Sequence, residues 1–155
     1  MTESFHLVVF SLDDQRYALQ LSAVDRTVRM VEITPLPKAP EIVIGIITVN
    51  GSIVPVLDIR RRFGLPRRKT ELSDHLLIAR TAERTVALVV DMVHDVIERP
   101  VHEIVLPGTI VPGMEHVEGV VKLEDGVVFI HDLDGFLSLE EARALESALE
   151  PESHA

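Results

Sequence analysis

The apolar positions of this chain fall in short blocks rich in Val, Ile and Leu, each followed by a turn signal, and such blocks predict strands. The clearest pair, residues 46–49 and 53–57, flanks Asn50-Gly51. Asn-Gly suits a type I′ hairpin turn, whose two central residues both take positive φ. Pro55 has no N–H for a ladder, which predicts the second strand of that pair at a sheet edge or beside a bulge. Residues 5–12 and 15–21 make another hairpin, turning at Asp13-Asp14. Residues 75–81 and 84–93 make a third around Ala82-Glu83. Residues 119–123 and 127–132 make a fourth, turning through Glu124-Asp125-Gly126. Between these, residues 22–26 read as a turn or one helical turn, and residues 27–33 as a further strand. Pro35, Pro37 and Pro40 hold the chain extended, and residues 100–113 read as loop. Only the last stretch has a helical period. Ser138 and Glu141 form a capping-box pattern, Leu139, Ala142, Leu145 and Leu149 recur at helical spacing, and Pro151 marks the end.

The strand pattern repeats. His6-Leu7-Val8-Val9 aligns with His75-Leu76-Leu77-Ile78, and without a gap Ala18-Leu19 falls on Ala87-Leu88 and Val24 on Val93. With small shifts of register, Gly45 matches Gly119, Gly51 matches Gly126 and Asp58 matches Asp132. Each half therefore carries two hairpins in the same order, which predicts two small β-barrels. Neither half buries enough surface to stand alone, so the barrels are expected to pack on a shared hydrophobic core. The expected division is a lobe of approximately residues 5–70, a second of residues 71–137, and a C-terminal α-helix over 138–149. Strands exchanged between the lobes remain compatible with this pattern.

Composition narrows the chemistry. Hydrophobic residues make up 46% of the 155 and aromatics 4%, so aliphatic side chains must fill the core. Cysteine is absent, which excludes disulfides and thiolate metal sites. No apolar run reaches the length of a membrane span and the first residues lack a signal-peptide pattern, so a cytoplasmic protein without direct membrane insertion is expected. The net charge of −10 argues against broad binding to nucleic acid or anionic lipid. Against that background stands a basic loop, with Arg60, Arg61, Arg62, Arg67, Arg68 and Lys69 inside ten residues. It reads as a solvated loop, as a docking site for an acidic protein, or as the cationic groove of a nucleic-acid-binding barrel. For the last, only Phe63 is available for base stacking. Reactive constellations are missing. There is no phosphate-cradling Gly-rich motif, no serine elbow and no His-Glu-x-x-His. His94-Asp95 and His131-Asp132 point to opposite strand faces, and Asp132-x-Asp134-Gly135 lacks the remaining ligands of a calcium loop. No catalytic residue, cofactor or metal is expected.

Taken together, residues 5–21 with Val24, the Pro-rich PLPKAPE run, GIITVNGSIVPVLDIRRRF and the closing GVVKLEDGVVFIHDLDGFL resemble the CheW family of chemotaxis coupling proteins. The resemblance covers nearly the whole chain. It implies two five-stranded SH3-like β-barrel lobes and no enzymatic activity. It also implies an adaptor between the cytoplasmic tip of a methyl-accepting chemotaxis receptor and the CheW-like regulatory domain of a CheA-type histidine kinase. Nothing is left over for a catalytic or receiver domain, so the free-standing adaptor is the expected form, associated with membrane receptor arrays through its partners. Carried over from the family, the receptor surface comprises Val24, Arg26, Asn50 and Gly51. Apolar strand faces near the lobe seam, around Val24, Ile53, Leu76, Leu77, Val89 and Val90, are expected to dock a receptor helix pair. Two positions depart from the family pattern: Asn50 stands where Arg is common, and Arg26 where Glu is common. Either this charge exchange alters receptor choice, or Asn50 serves its turn and Arg26 sits in water.

Overall fold

The computed structural model describes residues 3–66, 68–106 and 117–150. Strands β1 (Ser4–Leu12) and β2 (Gln15–Gln20) form the first hairpin, and a 3-10 turn at Leu21–Ala23 leads into β3 (Val24–Arg29). Next come β4 (Val43–Val49), β5 (Ser52–Leu57) and the single helical turn α1 (Ile59–Arg62). The second half holds β6 (His75–Arg80), β7 (Thr85–Val90), β8 (Met92–Pro100), β9 (Val117–Leu123) and β10 (Gly126–His131). A 3-10 turn at Leu133–Phe136 and helix α2 (Leu139–Leu149) complete the described chain.

Two five-stranded sheets result, ordered β8-β1-β2-β10-β9 and β3-β6-β7-β5-β4, the two lobes expected from the repeat, with the five strands each that the resemblance implied. The lobes exchange strands, as the repeat left open, so the boundary near residue 70 divides the repeats and not the sheets. Each half of the chain gives its opening hairpin to one lobe and its next three strands to the other. The first lobe combines β1 and β2 with β8, β9 and β10; the second combines β6 and β7 with β3, β4 and β5. Each lobe joins the exchanged pieces twice in the same way: β2 with β10 and β5 with β7 are parallel, and β1 with β8 and β3 with β6 are antiparallel. A hairpin is complete in its own hydrogen bonds, so nothing local in the sequence says which barrel it joins.

The repeat extends to detail. An isolated bridge Thr34↔Ile46 in one lobe has its counterpart in Val105↔Val120 in the other. Asp58 and Asp132 each accept a hydrogen bond from the second residue of the turn that follows, Arg60 N at 3.2 Å and Asp134 N at 3.1 Å. Close approach of the Thr34 segment explains Gly45: a Cβ there would stand 2.3 Å from the Thr34 carbonyl oxygen.

Three cores follow from strand periodicity. In a strand, alternate side chains point to opposite faces, and here both faces of the central strands are covered. Leu7, Val9 and Ala18 fill the first barrel, whereas Val8, Phe10, Leu12, Tyr17 and Leu19 point to a core common to both lobes. Likewise Leu76, Ile78, Ala87 and Val89 fill the second barrel, and Leu77, Ala79, Val86, Leu88 and Val90 meet the common core. Helix α2 begins at the expected capping box, with the Ser138 side chain accepting from Glu141 N and the Glu141 side chain accepting from Ser138 N. It closes the common core with Leu145, which is fully buried.

Local differences from expectation have physical reasons. Asn50 and Gly51 adopt φ of 49° and 82°, as the Asn-Gly reading required. Of the two places allowed for Pro55, the bulge is the one found: β5 lies inside its sheet between β7 and β4, and the β4–β5 register shifts between Val43 and Gly45, close to the Ile46–Pro55 pair. Ile46, opposite Pro55, exchanges both its backbone hydrogen bonds with Thr34 on the far side. Pro55 therefore faces β4 in a non-hydrogen-bonded pair, and the ladder with β7 starts only at Val56. Strand β3 begins at Val24 and ends at Arg29, earlier than residues 27–33 suggested. Residues 84–93, read as one strand of the third hairpin, divide at Asp91 into β7 and the start of β8, which continues to Pro100. Its polar His94, Asp95, Glu98 and Arg99 blur the alternation, and pairing with β1 alone supports it.

Two substitutions test this packing. Gly51→Val should cost about 1–3 kcal/mol, because a β-branched residue resists positive φ, and denaturant unfolding reads the loss. Leu77→Ala should cost about 2–5 kcal/mol in the same assay, as expected for a cavity in the common core.

Candidate functional site

The basic loop follows directly from β5. Asp58 caps α1, and that single turn aims Arg60 inward, leaving its side chain 6% exposed. Its Nη2 lies 2.8 Å from both carboxylate oxygens of Asp91, and its Nη1 is 3.0 Å from Asp13 Oδ1. Arg68 Nη2 also reaches Asp91 Oδ1, at 2.5 Å, and Asp74 Oδ1 at 2.7 Å. The Asp13 N–H donates to Asp91 Oδ2 at 2.6 Å. Asp13 belongs to the β1–β2 turn of the first lobe, whereas Arg60, Arg68 and Asp74 precede strands of the second. The cluster therefore ties the lobes together. Burial disfavours the Asp91 carboxylate, but hydrogen bonds from Arg60, the Asp13 N–H and Arg68 outweigh it and hold its pKa below the ordinary value. Opposing terms act on Arg60 too: burial lowers its pKa, and the bonds to Asp91 and Asp13 raise it to a net upward shift.

The remaining cations divide. Arg61 pairs with Glu41 at 2.5 Å, and Arg62 pairs with Glu141 while its Nε donates to the Phe136 carbonyl at 2.9 Å. Lys69 is exposed, and Arg67 lies outside the described residues. Reading Arg60, Arg61, Arg62 and Arg68 as a solvated or docking loop is thus corrected: these side chains are turned onto the protein's own carboxylates. Phe63 stacks on Tyr17 with ring centroids 4.4 Å apart at 11°, so it does not stand free for a base. The nucleic-acid alternative has no support here. The calcium-like carboxylates also have structural tasks, since Asp132 caps the turn after β10 and Asp134 Oδ1 accepts from Ala82 N at 2.9 Å.

A different surface gathers residues named from the sequence. At one end of the second barrel lies a shallow groove of about 320 Å³, lined by Asp25 from β3, Val49, Asn50 and Ile53 from the β4–β5 hairpin, and Arg84 and Thr85 from the start of β7. Ile53 is 62% exposed; Leu72 at 89% and Leu139 at 67% are more so, but Ile53 is the exposed aliphatic side chain among those lining this groove. Arg26 sits at the rim, with Nε 3.3 Å from Asp25 Oδ2, and Gly51 completes the turn above it. The other apolar candidates are corrected. Leu76, Leu77 and Val90 are fully buried and Val89 nearly so, divided between the second barrel and the common core, and Val24 packs against the common core. A strand covered on both faces has no apolar face left for a partner. Asp25 and Arg84 were not legible as site residues. Each stands alone in sequence, and only the fold brings them beside Asn50.

The arrangement defines a class: a duplicated β-barrel module whose distinctive features are surfaces, with no cluster of His, Cys, Asp or Glu suited to a metal among the described residues. The profile of the CheW-like domain matches residues 6–141. The chain is 27% identical over 140 residues to "Chemotaxis protein CheW" of Rhizobium meliloti, covering 89% of this chain and 90% of that one. It is 26% identical over 149 residues to the protein of the same name from Treponema pallidum, covering 92% and 88%. Its structure superposes with a TM-score of 0.81 and 32% identity on the scaffolding protein TtCheW from Thermoanaerobacter tengcongensis, covering 91% of this chain and 96% of that one. The chain belongs to the CheW-like domain family, and its role is that of a chemotaxis scaffold. No helix among the described residues is long and apolar enough to cross a membrane.

The ionic cluster makes a pH prediction. A carboxylate whose folded pKa is depressed stabilises the fold above its unfolded pKa and loses that contribution as pH falls through the folded value. Asp91 and Glu141 are both depressed, from ordinary values of 3.8 and 4.5. Stability should therefore fall below about pH 4, and Asp91→Ala should flatten that acid limb. At neutral pH, Asp91→Ala should cost about 1.5–3 kcal/mol by urea unfolding, because it removes charged hydrogen bonds from Arg60 and Arg68 and leaves the buried Arg60 with Asp13 alone.

Proposed function

We propose that this protein couples chemoreceptors to a CheA-type histidine kinase by binding both, with no bond made or broken. Its partners are the cytoplasmic tip of a methyl-accepting receptor and the CheW-like regulatory domain of the kinase. It works on the cytoplasmic side, held at receptor arrays by these partners. The groove at the end of the second barrel is the receptor-docking surface, and the exposed Ile53 beside the Asn50-Gly51 turn is the observation that carries this reading. Docking there follows the helix-in-groove mode: an apolar side chain of the receptor seats against Ile53 while polar groups at the rim select the partner. Asn50 and Arg26 are such rim groups, so their departure from the family pattern tunes which receptor is accepted. The barrel surfaces away from the groove serve the kinase domain, itself a duplicated barrel. Signalling through a scaffold requires only that it bind one receptor–kinase arrangement more tightly than another, and coupling of about 1–3 kcal/mol suffices.

Co-purification of the chain with a receptor-tip fragment and a kinase regulatory domain should yield a ternary complex. Ile53→Asp should remove the receptor fragment and retain the kinase domain, with the melting temperature unchanged. Receptor retention by that variant contradicts the assignment of the groove. The double change Asn50→Arg with Arg26→Glu should alter receptor affinity without affecting folding, and equal affinity would mark both departures as neutral.

A further inference from the structure

The two lobes present equivalent ends, and their polar groups are disposed in opposite ways. Cross-strand register puts Arg16 opposite Ser11 in the first lobe where Thr85 stands opposite Arg80 in the second. It puts Val127 opposite Lys122 where Ile53 stands opposite Thr48. Gln15 and Asp125 thereby occupy the places of Arg84 and Gly51, which corrects the match of Gly51 with Gly126: by strand register Gly126 corresponds to Ser52.

In the first lobe this end is closed on itself. Arg16 forms a two-pronged pair with Asp125, Nη1 to Oδ1 at 3.0 Å and Nη2 to Oδ2 at 2.7 Å. Gln15 Nε2 donates to the Val127 carbonyl at 3.2 Å and to the Arg16 carbonyl at 3.0 Å. Val127 is 37% exposed, against 62% for Ile53. The second lobe has the same frame without the closure. Gly51 has no side chain, Thr85 carries no charge, and the cation stands one place earlier, at Arg84. The half-buried Arg84 side chain lines the groove and makes no hydrogen bond or ion pair to the described residues. The carboxylate that shares the lining, Asp25, is paired with its chain neighbour Arg26 at 3.3 Å.

The backbone carrying Arg84 is held firmly. Thr81 Oγ1 accepts from Glu83 N at 3.2 Å and from Arg84 N at 3.0 Å, and Thr81 N donates to the Arg84 carbonyl at 2.8 Å. Ala82 N is anchored on Asp134 across the lobe boundary at 2.9 Å. A guanidinium on a fixed turn, at the edge of an apolar anchor and without a partner of its own, is preorganised to read a carboxylate, and its planar fork favours a two-pronged pair.

We propose that Arg84 determines the specificity of the groove, which accepts an amphipathic receptor helix bearing an Asp or Glu roughly one helical turn from the apolar side chain seated on Ile53. The closed first lobe offers no such donor, so the receptor engages one end of the molecule only. This inference rests on the groove being the receptor-docking surface.

Titration calorimetry of the full chain with a purified receptor cytoplasmic-tip fragment, at low and high salt, tests it. Arg84→Gln should weaken binding about tenfold and reduce its salt dependence. Arg84→Glu should weaken it further, and a fragment with one acidic tip residue changed to Lys should restore it. Parent-like binding by Arg84→Gln, or failure of every acidic-to-Lys fragment to rescue Arg84→Glu, overturns the role of Arg84. Ile53→Asp, run alongside, separates the two readings. If it abolishes binding while the Arg84 variants do not, the groove stands and the charge rule falls. If it too binds like the parent, the docking surface itself is wrong.

Discussion

The structure depends on one constraint: the central strands β1, β2, β6 and β7 are buried on both faces and must divide their side chains between two cores. Successive residues on β1 alternate between the first barrel and the common core, and those on β6 and β7 do the same for the second. Such a strand cannot be removed from one lobe without opening the common core as well. The exchange of hairpins reinforces this, since each half of the chain contributes strands to both sheets. Two small barrels that would each be marginal alone become a single cooperative body.

The ionic cluster around Asp91 acts at the margin of that core. Arg60 is 5% exposed, and a charge so placed is tolerated only with partners, here Asp91 and Asp13. Because Asp13 lies in the turn of the first lobe, the pairing fixes orientation between lobes where the apolar contacts end. Its contribution is to geometry as much as to stability. Arg60 and Arg68, cations of the basic loop, are held in this cluster by the protein's own carboxylates.

Much of the fold was legible, because periodicity and turn chemistry are local. The Asn-Gly turn, the capping box at Ser138 and the repeated hairpins each depend on neighbouring residues and appear where expected. What escaped was long-range. The lobe to which a hairpin belongs, the position of β5 inside its sheet rather than at its edge, and the burial of Leu76, Leu77 and Val90 on two faces are set by tertiary partners. The groove shows the same split. Asn50 stood out by its turn, Ile53 was read as part of a strand face near the lobe seam, and only the fold puts both beside Arg84.

A scaffold that transmits a change from one contact surface to another needs its lobes to move as a unit, and the shared core supplies that rigidity. Native-state hydrogen exchange across a denaturant series tests this most directly, comparing amides of β1 in the first lobe with those of β6 in the second. Both sets should exchange only through the same global opening, with one free energy and one denaturant dependence. Exchange of either lobe through a separate, lower-energy opening would show that the barrels are independent and would contradict the account.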